Sequence, residues 1–160
     1  MEINGACEIT AHDELFCREN AGNFNIESAD YVIDAIDSVN HKLDLIEIVR
    51  GANVTLFSSM GMALKTDPSR IKTASIWDTS VCPLARIVRQ GLRKRGYGET
   101  DRQLDFTVVY SDEQRAETEN LQITKPGEKT INGSMVTVTA SAGLLLANLA
   151  LQSAVKAGGI

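Results

Sequence analysis

The sequence predicts an α/β fold on a mostly parallel sheet, from three observations. Short β-branched, apolar runs alternate with helix-period runs, the signature of βαβ units. No internal repeat or low-complexity tract interrupts that alternation. Two aspartates, Asp34 and Asp37, stand where one such strand gives way to a helix. In an open α/β sheet, that junction lies at the carboxyl ends of the strands, where ligands bind.

In chain order, ACEITAHDE (6–14) reads as a strand and ENAGNFNIES (19–28) as a polar loop or short helix. Tyr31, Val32 and Ile33 are strong strand formers in a run far too short for a membrane, so YVID is a buried strand. Val39, Leu43, Ile46 and Val49 then recur at helical spacing, with Gly51 as the expected C-cap. NVTLFSS (53–59) is the next strand, closed by the loop MGMALKTDPSR. RIKTASIWD (70–78) is a further strand, PLARIVRQGLRKR (83–95) a helix and LDFTVVYSD (104–112) a strand. Residues 113–133 are polar, contain Pro126 and Gly127, and read as a long exposed loop of the kind that is usually functional. In MVTVTASAGLLLANLALQSAV (135–155), Val136 and Val138 alternate with Thr137 and Thr139, which predicts a strand running into a small-residue helix from about Gly143 to Lys156.

A chain of 160 residues with 43% hydrophobic content builds one core, so residues 1–160 are expected to form a single unit. The formal charge of −5 excludes a protein that is basic all over, so any contact with nucleic acid rests on a local patch. Three widely spaced cysteines, Cys7, Cys17 and Cys82, suit a reducing compartment and contain no CxxC pair, which excludes a zinc site made of two such pairs. MEINGACEITAHDELFC has acidic residues and no apolar h-region, so it is not a signal or transit peptide, and a cytoplasmic location is expected. The uncharged stretch 135–155 is rich in Thr, Ser, Ala and Asn, and no membrane is expected.

Several residues invite functional readings that compete with structural ones. Asp37 or Ser38 can cap the following helix, although three residues after Ser38 stands His41, not the Glu or Gln of a capping box. Cys82, before Pro83 at a helix start, has the position of a weak candidate nucleophile as well as that of a structural thiol. Arg86, Arg89 and Arg93 share one face of the helix that follows, extended by Lys94 and Arg95, while Leu84, Val88 and Leu92 form its core face. Such a basic helix in an acidic chain either binds phosphates or is simply solvated. Asp67 and Arg70 suit turn chemistry as well as site chemistry, and His12 and His41 stand alone. One element of a nucleotide-binding α/β domain is not found: no GxGxxG occurs, and MGMAL follows a strand but leads into KTDPSR, not into a helix.

ADYVIDAIDSVNHKLDLIE, SSMGMALKTDPSRIKTASIWDTSVCPLARIVRQGLRKRG, VVYSDE and GSMVTVTASAGLLLANLALQ, taken together and in order, resemble the later part of the HesA/MoeB/ThiF family of ATP-dependent adenylating enzymes. Within it they look most like the branch that dehydrates threonylcarbamoyladenosine in tRNA to its cyclic form. The resemblance implies an incomplete Rossmann-like fold: a mostly parallel sheet without the N-terminal Gly-rich βαβ part, with additional C-terminal strands and a helix. It implies ATP and magnesium as cofactors of the parent enzyme and tRNA as partner. It further implies that Asp37 lies by the ATP phosphates and holds magnesium, that Lys42 reaches a phosphate unless it is a solvated lysine, and that Asp34 serves structure. Related dehydratases carry aspartate at the place of Cys82, which favours a structural thiol there. Branches serving sulfur-carrier proteins hold zinc with two CxxC pairs, so their absence here points away from a carrier-protein substrate and from zinc. The isolated chain is expected to bind no nucleotide and to turn none over, and an exposed apolar edge near residues 6–14 or 31–35 is expected to pair with another copy, giving a homodimer or larger assembly. A non-catalytic remnant that only folds and dimerises is the remaining alternative.

Overall fold

A computed structural model describes residues 5–98, 104–114 and 133–158 of the chain. Four strands, β1 (Tyr31–Asp34), β2 (Thr55–Ser59), β3 (Ile71–Ser75) and β4 (Thr107–Ser111), form one sheet in the order β1-β2-β4-β3. β1, β2 and β4 run parallel, and β3 pairs antiparallel with β4 at one edge. Two helices, α1 (Val39–Gly51) and α2 (Pro83–Lys94), cover one face, and α3 (Val136–Lys156) covers the other. The α/β class and the mostly parallel sheet are those expected.

Strand alternation sorts the side chains between the two faces. Val32, Leu56, Val108 and Tyr110 join Leu43, Ile46, Val49, Val88 and Leu92 in the larger core under α1 and α2. Phe57 and Val109 point the other way, onto Val138, Ala142 and Leu146 of α3. The two covering helices lie close together at Gly91, where a Cβ would meet Leu43 Cδ1 at 2.5 Å. A side chain there would force the Leu43 side chain to shift, so glycine leaves room for Leu43 between the two helices.

Three local expectations are corrected. Residues 6–14 form no strand: their acidic and polar side chains leave no apolar face to bury, and Ile9 is 84% exposed. Gly51 is the last helical residue of α1 and not its cap; the left-handed turn falls on Asn53 (φ 57°), with Val54 N–H donating back to Val49 C=O at 3.3 Å. The alternating Val–Thr run at 136–139 is helical. A helix aligns Val138 with Ala142 and Leu146, at i, i+4 and i+8, into one buried stripe, and packing against the sheet overrides strand propensity. Thr139 accommodates the helix by donating its hydroxyl to Met135 C=O at 3.3 Å. The expected loop at 113–133 falls largely outside the described residues.

The helical register of α3 makes a paired prediction. Leu146 is buried and Leu144 is 73% exposed, although they are two residues apart and would share a face in a strand. Leu146→Ala is expected to lower the unfolding free energy by about 2–5 kcal/mol in urea titration, and Leu144→Ala to change it by no more than about 0.5 kcal/mol.

Candidate functional site

Asp34 and Ser58 are cross-strand partners at the carboxyl ends of β1 and β2, on the face covered by α1. Both are fully buried, as is Lys42 in the first turns of α1. The Ser58 hydroxyl donates to Asp34 Oδ2 at 2.6 Å, and Lys42 Nζ approaches the same oxygen at 2.6 Å. Lys42 also donates to the Ser59 carbonyl at 3.1 Å and to Ser58 Oγ at 3.3 Å, so its three N–H groups all have acceptors. Burial pushes the Lys42 ammonium below the usual lysine range, opposed by the charge and hydrogen bond of Asp34 and, more weakly, by Asp37. The second carboxylate oxygen of Asp34 accepts from the Ile36 amide at 2.9 Å, an Asx turn that bends the chain toward Asp37.

Past that turn an open cleft of about 240 Å³ lies beyond the ends of β1 and β2. Asp37, exposed, lies on its wall with Ser59, while Met60, Met62, Leu84 and Ala142 make it largely apolar. The starts of three helices meet it or border it: Asp37 directly precedes the N-cap of α1, Leu84 lies in the first turn of α2, and Thr139 lies near the start of α3. None of these termini has a side-chain cap, since Ser38, Cys82 and Met135 make no capping hydrogen bond. First-turn amides and aligned peptide dipoles therefore bias the cleft toward an anion, while Asp37 supplies one carboxylate of the kind magnesium takes beside phosphate oxygens and water. A hollow of about 350 Å³ at the opposite end of the sheet is lined by the residues where β2 and β4 begin, the end that open α/β sheets do not use.

The remaining candidates fall elsewhere. Lys42 is neither solvated nor aimed at the cleft; its ammonium is committed to Asp34. Cys82 is buried as the N-cap of α2. Asp67 caps a 3-10 turn at Pro68–Arg70 by accepting from Ser69 N–H at 2.8 Å, and Arg70 pairs with Asp112 at 2.7 Å, so both do turn and edge chemistry. On α2, Arg86 and Arg93 are exposed, with the Arg93 guanidinium 5.4 Å from the Trp77 ring centre. Arg89 is half-buried and donates to Ile76 C=O at 3.2 Å and to the Thr79 hydroxyl. Arg95 joins Arg18, Asp44 and Glu47 in an ion cluster that ties the chain before β1 to both helices. His41 Nδ1 is buried without a partner. Among the described residues, no three His, Cys, Asp or Glu side chains converge as a metal site would require.

Sequence reasoning missed the Asp34–Lys42–Ser58 cluster. The signal was present: Asp34 shares its strand face with Val32, and Lys42 falls among the buried positions of α1, but a lone lysine in a polar first turn reads as solvated.

No family model matches the chain. It is 38% identical over 112 residues to the tRNA threonylcarbamoyladenosine dehydratase of Bacillus subtilis, covering 70% of this chain and 42% of that protein. To dehydratase 2 of Saccharomyces cerevisiae it is 35% identical over 97 residues, 59% of this chain and 22% of the relative. Among solved structures, the Escherichia coli dehydratase in complex with ATP superposes with a TM-score of 0.79 at 26% identity, over 95% of this chain and 58% of that one. Its AMP complex gives 0.80 at 24% identity over 95% and 59%, a likeness of fold. The chain thus spans less than half the length of the curated relatives above.

Removing one partner of the buried pair leaves an uncompensated charge. Lys42→Met is expected to cost about 3–5 kcal/mol of stability by urea titration, and the double variant Lys42→Met with Asp34→Leu to recover most of it. Independent, additive losses would mean that the two groups do not act as a pair.

Proposed function

We propose that this chain is a partial domain of the HesA/MoeB/ThiF type, by its similarity to the tRNA threonylcarbamoyladenosine dehydratases, and that it forms the magnesium-facing side of an ATP-dependent tRNA-modifying site in the cytoplasm. The observation that carries this reading is the cleft itself: three uncapped helix starts around an exposed aspartate at the strand ends. When bound, ATP would supply the leaving group: transfer of its adenylyl group to the carboxylate of the threonylcarbamoyl side chain would release pyrophosphate, and attack of the carbamoyl oxygen on that activated carbonyl would expel AMP and, with loss of a proton, close the ring. The chain's own residues do the rest. Asp37 would hold magnesium, the helix starts would offset phosphate charge, and Met60, Met62 and Leu84 would give the reacting group an apolar wall. Cys82, buried, takes no part. Adenylation of a sulfur-carrier protein is the weaker reading, since Cys7, Cys17 and Cys82 are scattered and form no zinc-holding pairs.

Residues 1–160 supply no Gly-rich turn, and convergent backbone amides of such a turn are what hold the phosphates of ATP in place. The chain alone therefore neither turns ATP over nor binds it tightly. It pairs with a second copy through the outward side of α3, where Leu144, Leu151 and Val155 are exposed on a helix uncharged as far as Lys156. Leu144 and Leu151 lie symmetrically about Ala147–Asn148, which suits an antiparallel contact across a two-fold axis. By length and composition α3 is also apolar enough to cross a membrane, but its inner stripe is packed on the sheet. For tRNA, Arg86 and Arg93 are exposed on α2, and Arg89 is held by the turn at Ile76–Asp78.

In full-length protein, Asp37→Asn is expected to lower turnover on the order of 100-fold and to raise the magnesium requirement without changing the melting temperature. Wild-type kinetics with magnesium would remove Asp37 from the site. Calorimetry of the 160-residue chain with magnesium and ATP should show no micromolar binding, and light scattering should show a dimer that Leu144→Glu with Leu151→Glu dissociates. Micromolar nucleotide binding by a monomer would overturn the partial-site reading.

For the RNA contact, Arg86→Glu with Arg93→Glu in full-length protein should weaken tRNA binding and flatten its logarithmic salt dependence by roughly one for each phosphate no longer neutralised. An unchanged slope would make the helix an ordinary solvated face.

A further inference from the structure

We propose that the Ser59 hydroxyl is a second protein ligand of the metal in the cleft, binding magnesium beside Asp37 when ATP is present. This rests on the ATP-site reading above and deepens it.

Magnesium takes hard oxygen ligands in a near-octahedral array, and it is usually held by one or two protein oxygens, with phosphate oxygens and waters making up the rest. The cleft offers few such oxygens. Among the described residues that line it, Asp37, Ser59 and Thr139 are those with side-chain oxygens, and every other wall is apolar. Thr139 turns its hydroxyl back onto the first turn of α3, toward the Met135 and Val136 carbonyls, each at 3.3 Å. Ser59 is placed differently. It ends β2, the strand next to β1, and the residues before it and before the turn to Asp37, Ser58 and Asp34, are register partners. Ser59 and the turn that carries Asp37 therefore leave the sheet side by side.

A neutral hydroxyl ligates a metal only if its proton points elsewhere. Ser59 Oγ donates along the wall to the Met60 carbonyl at 3.4 Å, and among the described residues it makes no other hydrogen bond, so both oxygen lone pairs are unspent. Ser58 is the contrasting case: its hydroxyl is fully buried between Asp34 and Lys42. A serine hydroxyl with one aspartate is the pair that P-loop enzymes use to hold magnesium on phosphates, so this donor set is chemically sufficient, although here the serine comes from a strand end.

The seat of both oxygens is fixed in advance. One buried ammonium, that of Lys42, holds the Ser59 carbonyl at 3.1 Å and Asp34 at 2.6 Å, and Asp34 in turn accepts from the Ile36 amide at 2.9 Å. The two arms that carry Ser59 and Asp37 thus hang from the same cluster. A small cation that demands near-ideal geometry needs ligands held in this way.

The test is manganese–ATP binding by full-length protein, read without turnover from the loss of the free manganese signal in electron paramagnetic resonance. Manganese stands in for magnesium because both take oxygen ligands. Ser59→Ala is expected to weaken manganese–ATP on the order of tenfold or more, with the melting temperature unchanged. Ser59→Cys places a soft sulfur at the same point, and it is measured in a Cys7→Ser, Cys17→Ser background because those two thiols are not buried. That variant should disfavour manganese and take cadmium–ATP, with the ultraviolet band of a cadmium–thiolate bond appearing only when nucleotide is added. Asp37→Asn is titrated beside them. Loss on Asp37→Asn with no change on Ser59→Ala, or Ser59→Cys without the cadmium–thiolate band, would overturn the Ser59 assignment and leave the ATP site standing. A wild type that binds no manganese–ATP, or binding indifferent to Asp37→Asn, would overturn the ATP-site reading and the assignment together.

Discussion

The structure depends on one buried charge pair. Asp34 ends β1, Lys42 opens α1 and Ser58 ends β2, and the three meet with no exposure to solvent. The strand–helix–strand unit is thereby tied at the end where its loops must be held in place. Moving two charges out of water is expensive, and an apolar trio of the same size could match it in stability. What apolar packing would not provide is registration. A one-residue slip of β1 would turn Asp34 onto the α3 face, among Phe57, Val109 and Leu146, with no cation to meet it. The pair therefore excludes that alternative, and the Asx turn from Asp34 to Ile36 passes the same constraint on to Asp37.

Around this anchor, several of the chain's cations are held by acidic or carbonyl partners. Arg18 and Arg95 are held by Asp44 and Glu47, Arg70 by Asp112, and Arg89 by the turn at Ile76–Asp78. Partial burial of Asp44 raises its carboxyl, but hydrogen bonds from Arg95 and Arg18 outweigh this and hold it below the usual range. At the cleft the partial positive charges are those of helix starts that no side chain caps. Such partial charges are fixed by the backbone and do not depend on the net charge of −5.

The loop between β2 and β3 is fastened by comparable means. The Glu113 carboxylate accepts from the Asp67 and Thr66 amides, each at 3.0 Å, and the backbone bonds from Asp67 and the hydroxyl of Thr66 hold its acid below the ordinary glutamate range. Lys65, buried, donates to the Glu113 carbonyl. The exit of β4 is thus joined to the loop that begins at the wall of the cleft, and Asp67 and Arg70 are spent on that junction.

The sequence by itself determined the strands at 31–34, 55–59, 71–75 and 107–111, the helices after β1 and β3, the α/β class and the strand-to-helix junction that carries Asp34 and Asp37. These follow from local periodicity and β-branched composition, which act over a few residues. It also carried the resemblance to adenylating enzymes, because motifs in order are a linear property. Tertiary structure alone decided the rest. Whether Val136–Thr139 was strand or helix depended on Phe57 and Val109 offering a surface for a stripe at 138, 142 and 146. Whether Lys42 faced water or Asp34 depended on α1 lying over the end of β1, a contact between residues eight apart in sequence. Residues 6–14 had the propensity of a strand but no apolar face to bury, and pairing and burial, more than propensity, stabilise a strand.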